Sequence, residues 1–144
     1  MRIAEILNTK GSAVVTVAQD TDIRALLALL AEQNIGAAVV SPDGNEIAGI
    51  VSERDIVRAL HRYGTSLLES PVARIMTTTV RTCTPDDRVD GLRGIMTEHR
   101  VRHLPVVDNG RLAGIVSIGD VVKSALSELT TEREQLVGYL QRGY

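Results

Sequence analysis

The sequence predicts an α+β fold of two tandem units, each running strand, helix, strand, strand, helix. Two observations carry this. First, Ile47-Ala48-Gly49-Ile50-Val51-Ser52-Glu53-Arg54-Asp55-Ile56-Val57 returns as Leu112-Ala113-Gly114-Ile115-Val116-Ser117-Ile118-Gly119-Asp120-Val121-Val122, and seven of the fourteen positions from Ile47 to Leu60 recur identically 65 residues later. Repetition at a fixed period marks one structural unit used twice. Second, in both copies a helical apolar stripe precedes two short apolar runs around a turn. Units of about 65 residues are small for independent cores, so the two are expected to pack on each other.

Taken in order, Ala4-Glu5-Ile6-Leu7 and Ala73-Arg74-Ile75-Met76 are matching apolar lead-ins. Val14–Val17 reads as a short strand, matched by Arg81-Thr82-Cys83. Gln19-Asp20-Thr21-Asp22 and Pro85-Asp86-Asp87 place acids where a helix starts and its dipole is positive. Ile23, Leu26, Leu27 and Leu30 then recur at helical spacing, as do Val89, Leu92, Ile95 and Met96. Gly91 and Gly94 cost the second helix about 1 kcal/mol each relative to Ala; they either admit a close neighbour or are simply tolerated.

The apolar runs Ile35–Val40 and Ile47–Val51, and Val101–Val107 and Leu112–Val116, flank turns carrying Asp-Gly or Asn-Gly, which predicts antiparallel pairs. They barely alternate, so both faces should be covered. The closing helices begin at Ser52 and Ser117. Beyond Leu126, the residues Leu129, Leu136, Val137 and Leu140 extend a helical pattern that is not repeated, with Tyr139 and Tyr144 as packing or interface groups. This tail is expected to clamp the body or a second subunit. The predicted divisions are residues 1–68, 69–126 and a helical tail over 127–144.

Composition narrows the function. The 144 residues are 44% hydrophobic, yet the longest strongly apolar run, Ala25–Ala31, is too short to cross a bilayer. No basic stretch followed by an apolar run opens the chain, so neither a secretory leader nor membrane insertion is expected. The single cysteine, Cys83, excludes an intrachain disulfide and suits a reducing cytoplasm. It aligns with Val17 and should pack as a small apolar side chain; Met76 and Met96 read as core. A net charge of −2 argues against nucleic-acid binding, as does the absence of Phe and Trp as stacking platforms. Cys83, His61, His99 and His103 lack zinc-site spacing, so no metal is expected.

The chemistry lies where each buried strand turns into its last helix, at the duplicated Ser-x-x-Asp. Serine followed three residues later by an acid approximates a capping box, which satisfies free backbone N–H groups. The same junction suits a nucleotide. A helix N-terminus presents N–H groups and positive partial charge to a phosphate, and a carboxylate can accept from both hydroxyls of a ribose diol. A base held there would lie in an aliphatic slot and be read by backbone groups. No Ser-His-Asp, Cys-His or metal constellation points to catalysis.

The paired Gly-Ile-Val-Ser-x-x-Asp motifs, with Arg102-His103-Leu104-Pro105-Val106-Val107 before the second, resemble the CBS-pair family (cystathionine-β-synthase domains) over approximately residues 1–126. The resemblance implies two β-α-β-β-α units packed as a pseudo-two-fold, stand-alone tandem module that commonly forms homodimers. It also implies a non-catalytic module binding adenosine nucleotides such as AMP, ADP, ATP or NAD(H), senses energy or redox state, and signals to a separate target protein. Carried onto this sequence, one cleft would combine Thr82, Arg102 and His103 with Ser52, Arg54 and Asp55. The other would combine Thr16, Gly36 and Ala37 with Ser117 and Asp120. Gly119 stands where the first cleft has Arg54, so the cleft with Asp55 should take the more highly charged ligand. The competing expectation is an interaction module that dimerises without a physiological nucleotide.

Overall fold

A computed structural model describes residues 1–143; Tyr144, one of the two tail tyrosines, lies outside the described residues. The chain runs α1 (Ile3–Lys10), β1 (Thr16–Val17), α2 (Ile23–Gln33), β2 (Ala37–Val40), β3 (Gly49–Ser52) and α3 (Glu53–Tyr63). Two 3-10 turns, Gly64–Glu69 and Val72–Arg74, lead into α4 (Val89–His99), β4 (His103–Asp108), β5 (Arg111–Ser117) and α5 (Ile118–Arg142). β1 pairs parallel with β2, β2 pairs antiparallel with β3, and β4 pairs antiparallel with β5. The α+β class and the two tandem units are as expected.

The second unit departs from the expected order at its first strand. Arg81-Thr82-Cys83 forms no strand, and only an isolated parallel bridge joins Cys83 to Val106. That bridge is the repeat equivalent of Val17 on Val40 in the first sheet, reduced to one residue. The first strand is also shorter than Val14–Val17 suggested. Helix starts differ in the same way. Asp22 caps α2 by accepting from the Ala25 amide at 2.7 Å, but its counterpart before α4 is Arg88, which gives no side-chain cap. Asp87 instead accepts from the Thr84 amide at 2.8 Å and is spent on the preceding turn.

The two cores exchange segments. One gathers Ile23, Leu26, Leu30, Val40, Val51 and Ile56 with Leu67 and Val72. The other gathers Val89, Leu92, Met96, Leu104, Val106 and Val116 with Ile3 and Ile6 of α1. Each lead-in therefore packs on the other half of the sequence. Gly49 and Gly114 record the crossing: a Cβ on Gly49 would lie 2.8 Å from the Thr77 carbonyl oxygen, and one on Gly114 would lie 2.7 Å from Leu7 Cδ2. At Gly49 the obstacle is backbone and only glycine leaves room for the segment passing over the strand, whereas at Gly114 it is the end of the Leu7 side chain.

Cys83 is buried with its thiol pushed up to about 12 by burial and by the Asp87 charge, in keeping with an inert apolar role. Gly91 and Gly94 have nothing within 4 Å of a would-be Cβ, so they are tolerated and admit no neighbour. α5 continues unbroken through the tail, and Leu129, Leu136, Tyr139 and Leu140 are exposed and do not return to the body.

Candidate functional site

Both Ser-x-x-Asp motifs sit at the strand-to-helix junctions. Ser52 ends β3 and N-caps α3; its Oγ accepts from the Asp55 amide at 3.4 Å. In return Asp55 Oδ2 accepts from the Ser52 amide at 2.9 Å and from its hydroxyl at 3.1 Å. Ser117 repeats this for α5, accepting from the Asp120 amide at 3.2 Å while Asp120 Oδ2 accepts from the Ser117 amide at 2.8 Å. Both are reciprocal capping boxes. The cap does not exhaust the first carboxylate. Among the described residues Asp55 Oδ1 receives no hydrogen bond, so an acceptor remains for an outside donor.

A cavity of about 410 Å³ opens at the N-terminus of α3, within the usual range for small-ligand sites. Ser52, Arg54, Asp55, Arg102 and His103 line it together, as expected of the first cleft. Two assignments change. Thr82 is exposed and outside the lining, because the segment before Cys83 is not a strand; Thr79, Val80 and Arg81 reach the cavity instead. Gly36, expected in the second cleft, lines this one. Its carbonyl accepts from the Glu53 amide at 2.9 Å, and His103 Cε1 lies 3.4 Å from where its Cβ would be.

Sequence reasoning missed Arg58, Arg81, His99 and Arg100 in this wall. Arg58 was within reach of it, since it follows Arg54 by one helical turn. Five arginines thus line the cavity together with Glu53 and Asp55. Arg100 holds the left-handed conformation (φ 54°) at the end of α4, where the first unit has Asn34 at φ 53°. Asparagine adopts that region readily, whereas an arginine there costs on the order of 1 kcal/mol. The Arg100 carbonyl accepts from Arg54 Nη1 at 3.3 Å, which ties the two arginine-bearing elements.

His103 is half-buried between the two motifs. Burial holds its pKa below the usual imidazole value; Lys10 and Arg102 act in the same direction, against Glu53 and Asp120.

Thr16, Ala37, Ser117 and Asp120 line neither this cavity nor the two adjoining it. Ala37 is buried in β2, opposite Ser52. Lys10 Nζ sits 2.7 Å from Asp120 Oδ2. Burial raises the Asp120 pKa, but the Lys10 ammonium and the Ser117 amide outweigh it and leave the carboxyl below its ordinary value. Nothing local in the sequence signals a contact between residues 10 and 120. Among the described residues no group of three or more His, Cys, Asp or Glu side chains could hold a metal, and no helix is long and apolar enough to cross a membrane.

Comparison with known proteins gives the same two-unit layout. The sequence pattern described as "CBS domain" matches residues 3–62 and again 72–127. The mitochondrial CBS domain-containing protein CBSX3 of Arabidopsis thaliana is 33% identical over 150 aligned residues, covering 99% of this chain and 73% of that protein. The crystal structure of a CBS-domain containing protein from Agrobacterium tumefaciens superposes with a TM-score of 0.84 at 42% identity, covering 87% of this chain and 99% of that one. A CBS domain protein from Pyrobaculum aerophilum, solved in complex with AMP, superposes with a TM-score of 0.76 at 32% identity, covering 91% of this chain and 99% of that one.

Proposed function

The chain belongs to the CBS domain family, and from that premise we propose that it is a non-catalytic regulatory module binding one adenosine nucleotide in the arginine-lined cleft at the start of α3. The observation that carries the reading is that five arginines line one cavity at a helix N-terminus with a carboxylate that has one oxygen without a hydrogen bond among the described residues. Asp55 Oδ1 accepts from the ribose hydroxyls, the positive N-terminal end of α3 and the guanidinium groups hold phosphate, and Ser52 keeps the cap in place. The AMP bound by the Pyrobaculum aerophilum relative supports the adenosine part. The charge balance supports a more phosphorylated ligand: five arginines against two acids exceed what a monophosphate needs, so ATP is the preferred occupant ahead of AMP and NAD(H).

In this reading the module acts as a homodimer. Val57 and Val122, equivalent positions of the repeat, are 67% and 49% exposed, and the apolar stripe of α5 is uncovered. Occupancy regulates a separate target protein, and it does so through a difference in nucleotide affinity between two states of the module. Thermal unfolding with AMP, ATP and NADH tests the binding claim. A ligand at a hundred times its dissociation constant stabilises by about 2.7 kcal/mol, so ATP should raise the melting temperature most. An unchanged melting temperature with all three would favour the interaction module that needs no nucleotide.

A further inference from the structure

We propose that Lys10 is a built-in occupant of the second cleft and limits the module to one nucleotide. The inference rests on the nucleotide reading of the first cleft. The two Ser-x-x-Asp junctions are alike in their caps and differ in what else reaches the carboxylate. Asp55 Oδ2 takes only Ser52, whereas Asp120 Oδ2 takes both the Ser117 amide and the Lys10 ammonium. The lysine thus pairs with the cap oxygen of the carboxylate equivalent to Asp55 and sets an ammonium beside it, while Asp120 Oδ1, like Asp55 Oδ1, receives no hydrogen bond among the described residues.

Lys10 is not a loose surface side chain. It ends α1, whose Ile3 and Ile6 are buried in the second core, and the Lys10 and Asp120 side chains are only 32% and 21% exposed. Helix anchoring fixes where the ammonium starts, and partial burial strengthens its bond to the carboxylate. A sugar diol approaching Asp120 meets that ammonium, a donor already paired with the carboxylate it would use.

The surroundings give an incoming phosphate little in return. At the repeat positions equivalent to Arg54, Arg58, Arg81, Arg100 and Arg102 the sequence has Gly119, Lys123, Val15, Asn34 and Gly36, the last of which lines the first cavity. Four of the five cationic positions are lost, and α1 supplies one ammonium at the sugar-holding acid instead. The first cleft has cations placed for an outside anion; the second has its own acid neutralised from within.

Binding stoichiometry tests this. Isothermal titration of ATP and of adenosine into the full chain should give one site in the wild type. Lys10→Met, which keeps the aliphatic stem, should add a second site that adenosine can fill, while Lys10→Arg should keep one. Unchanged far-ultraviolet circular dichroism checks that α1 remains folded, and Asp120→Asn in the Lys10→Met background should remove the added site. One site in Lys10→Met, or two sites in the wild type, overturns the inference while leaving the first cleft intact. No binding to any of these proteins overturns the nucleotide reading and this inference with it.

Discussion

A phosphate entering the first cleft changes what His103 can hold. Its pKa lies below the usual imidazole value, first because burial penalises the charged ring, with Lys10 and Arg102 adding to that and Glu53 and Asp120 opposing it. The sign follows for stability. The unfolded chain takes a proton more readily than the folded one, so His103 contributes stability above the unfolded value near 6.5, and that is lost as pH falls from there through the lower folded value. Binding runs the other way, because an anion nearby favours the imidazolium and binding takes up a proton. ATP affinity should therefore rise as pH falls from about 8 to about 6, and more steeply in the wild type than in His103→Gln, which removes the titrating group but not the ligand's own titration. Calorimetry across that range checks it; parallel pH profiles for the two proteins would remove His103 from the phosphate site.

At the scale of elements, α4 is the least secure helix of the body. It lacks the side-chain cap that α2 receives from Asp22, and it carries Gly91 and Gly94 on an exposed face with open space around each. Gly91→Ala and Gly94→Ala should each stabilise the protein by about 1 kcal/mol in chemical denaturation. No gain would mean that the helix needs those glycines for something the packing does not reveal. The same helix marks where the sequence was and was not legible. Of its apolar stripe Val89, Leu92, Ile95 and Met96, three are buried and Ile95 is exposed. Its start was misread because Pro85-Asp86-Asp87 looks like a cap while Asp87 is committed to Thr84. The preceding strand was overcalled because Arg81 and Thr82 face the cleft and solvent and leave only Cys83 to pair. Ser52, Asp55, Ser117 and Asp120 were legible because they lie at fixed places in a repeat. Arg81, Arg100 and Lys10 were not, since their positions depend on packing between distant segments.

For the whole molecule, exchange of lead-ins makes the two units one body, and α5 is what projects from it. Its 25 residues span about 37 Å, and Val122, Leu126, Leu129, Leu136 and Leu140 follow the alternating three- and four-residue spacing of a helix-pairing seam, interrupted by Arg133. All five apolar residues are exposed in the single chain. The protein should sediment as a dimer, and Leu129→Glu with Leu136→Glu should shift it toward monomer without altering the circular dichroism of the body. A monomeric wild type, or a double variant that remains dimeric, would show that the stripe serves no self-association.

The central claim is that an adenosine nucleotide is gripped at the α3 junction, with Asp55 on its sugar and arginines on its phosphates. Titration calorimetry of ATP against the wild type and Asp55→Ala tests it most directly. The account predicts saturable binding to the wild type and a loss of at least roughly tenfold in affinity in the variant, the scale of a hydrogen bond to a charged group. Equal affinity in the two proteins, or no heat in either, would contradict it.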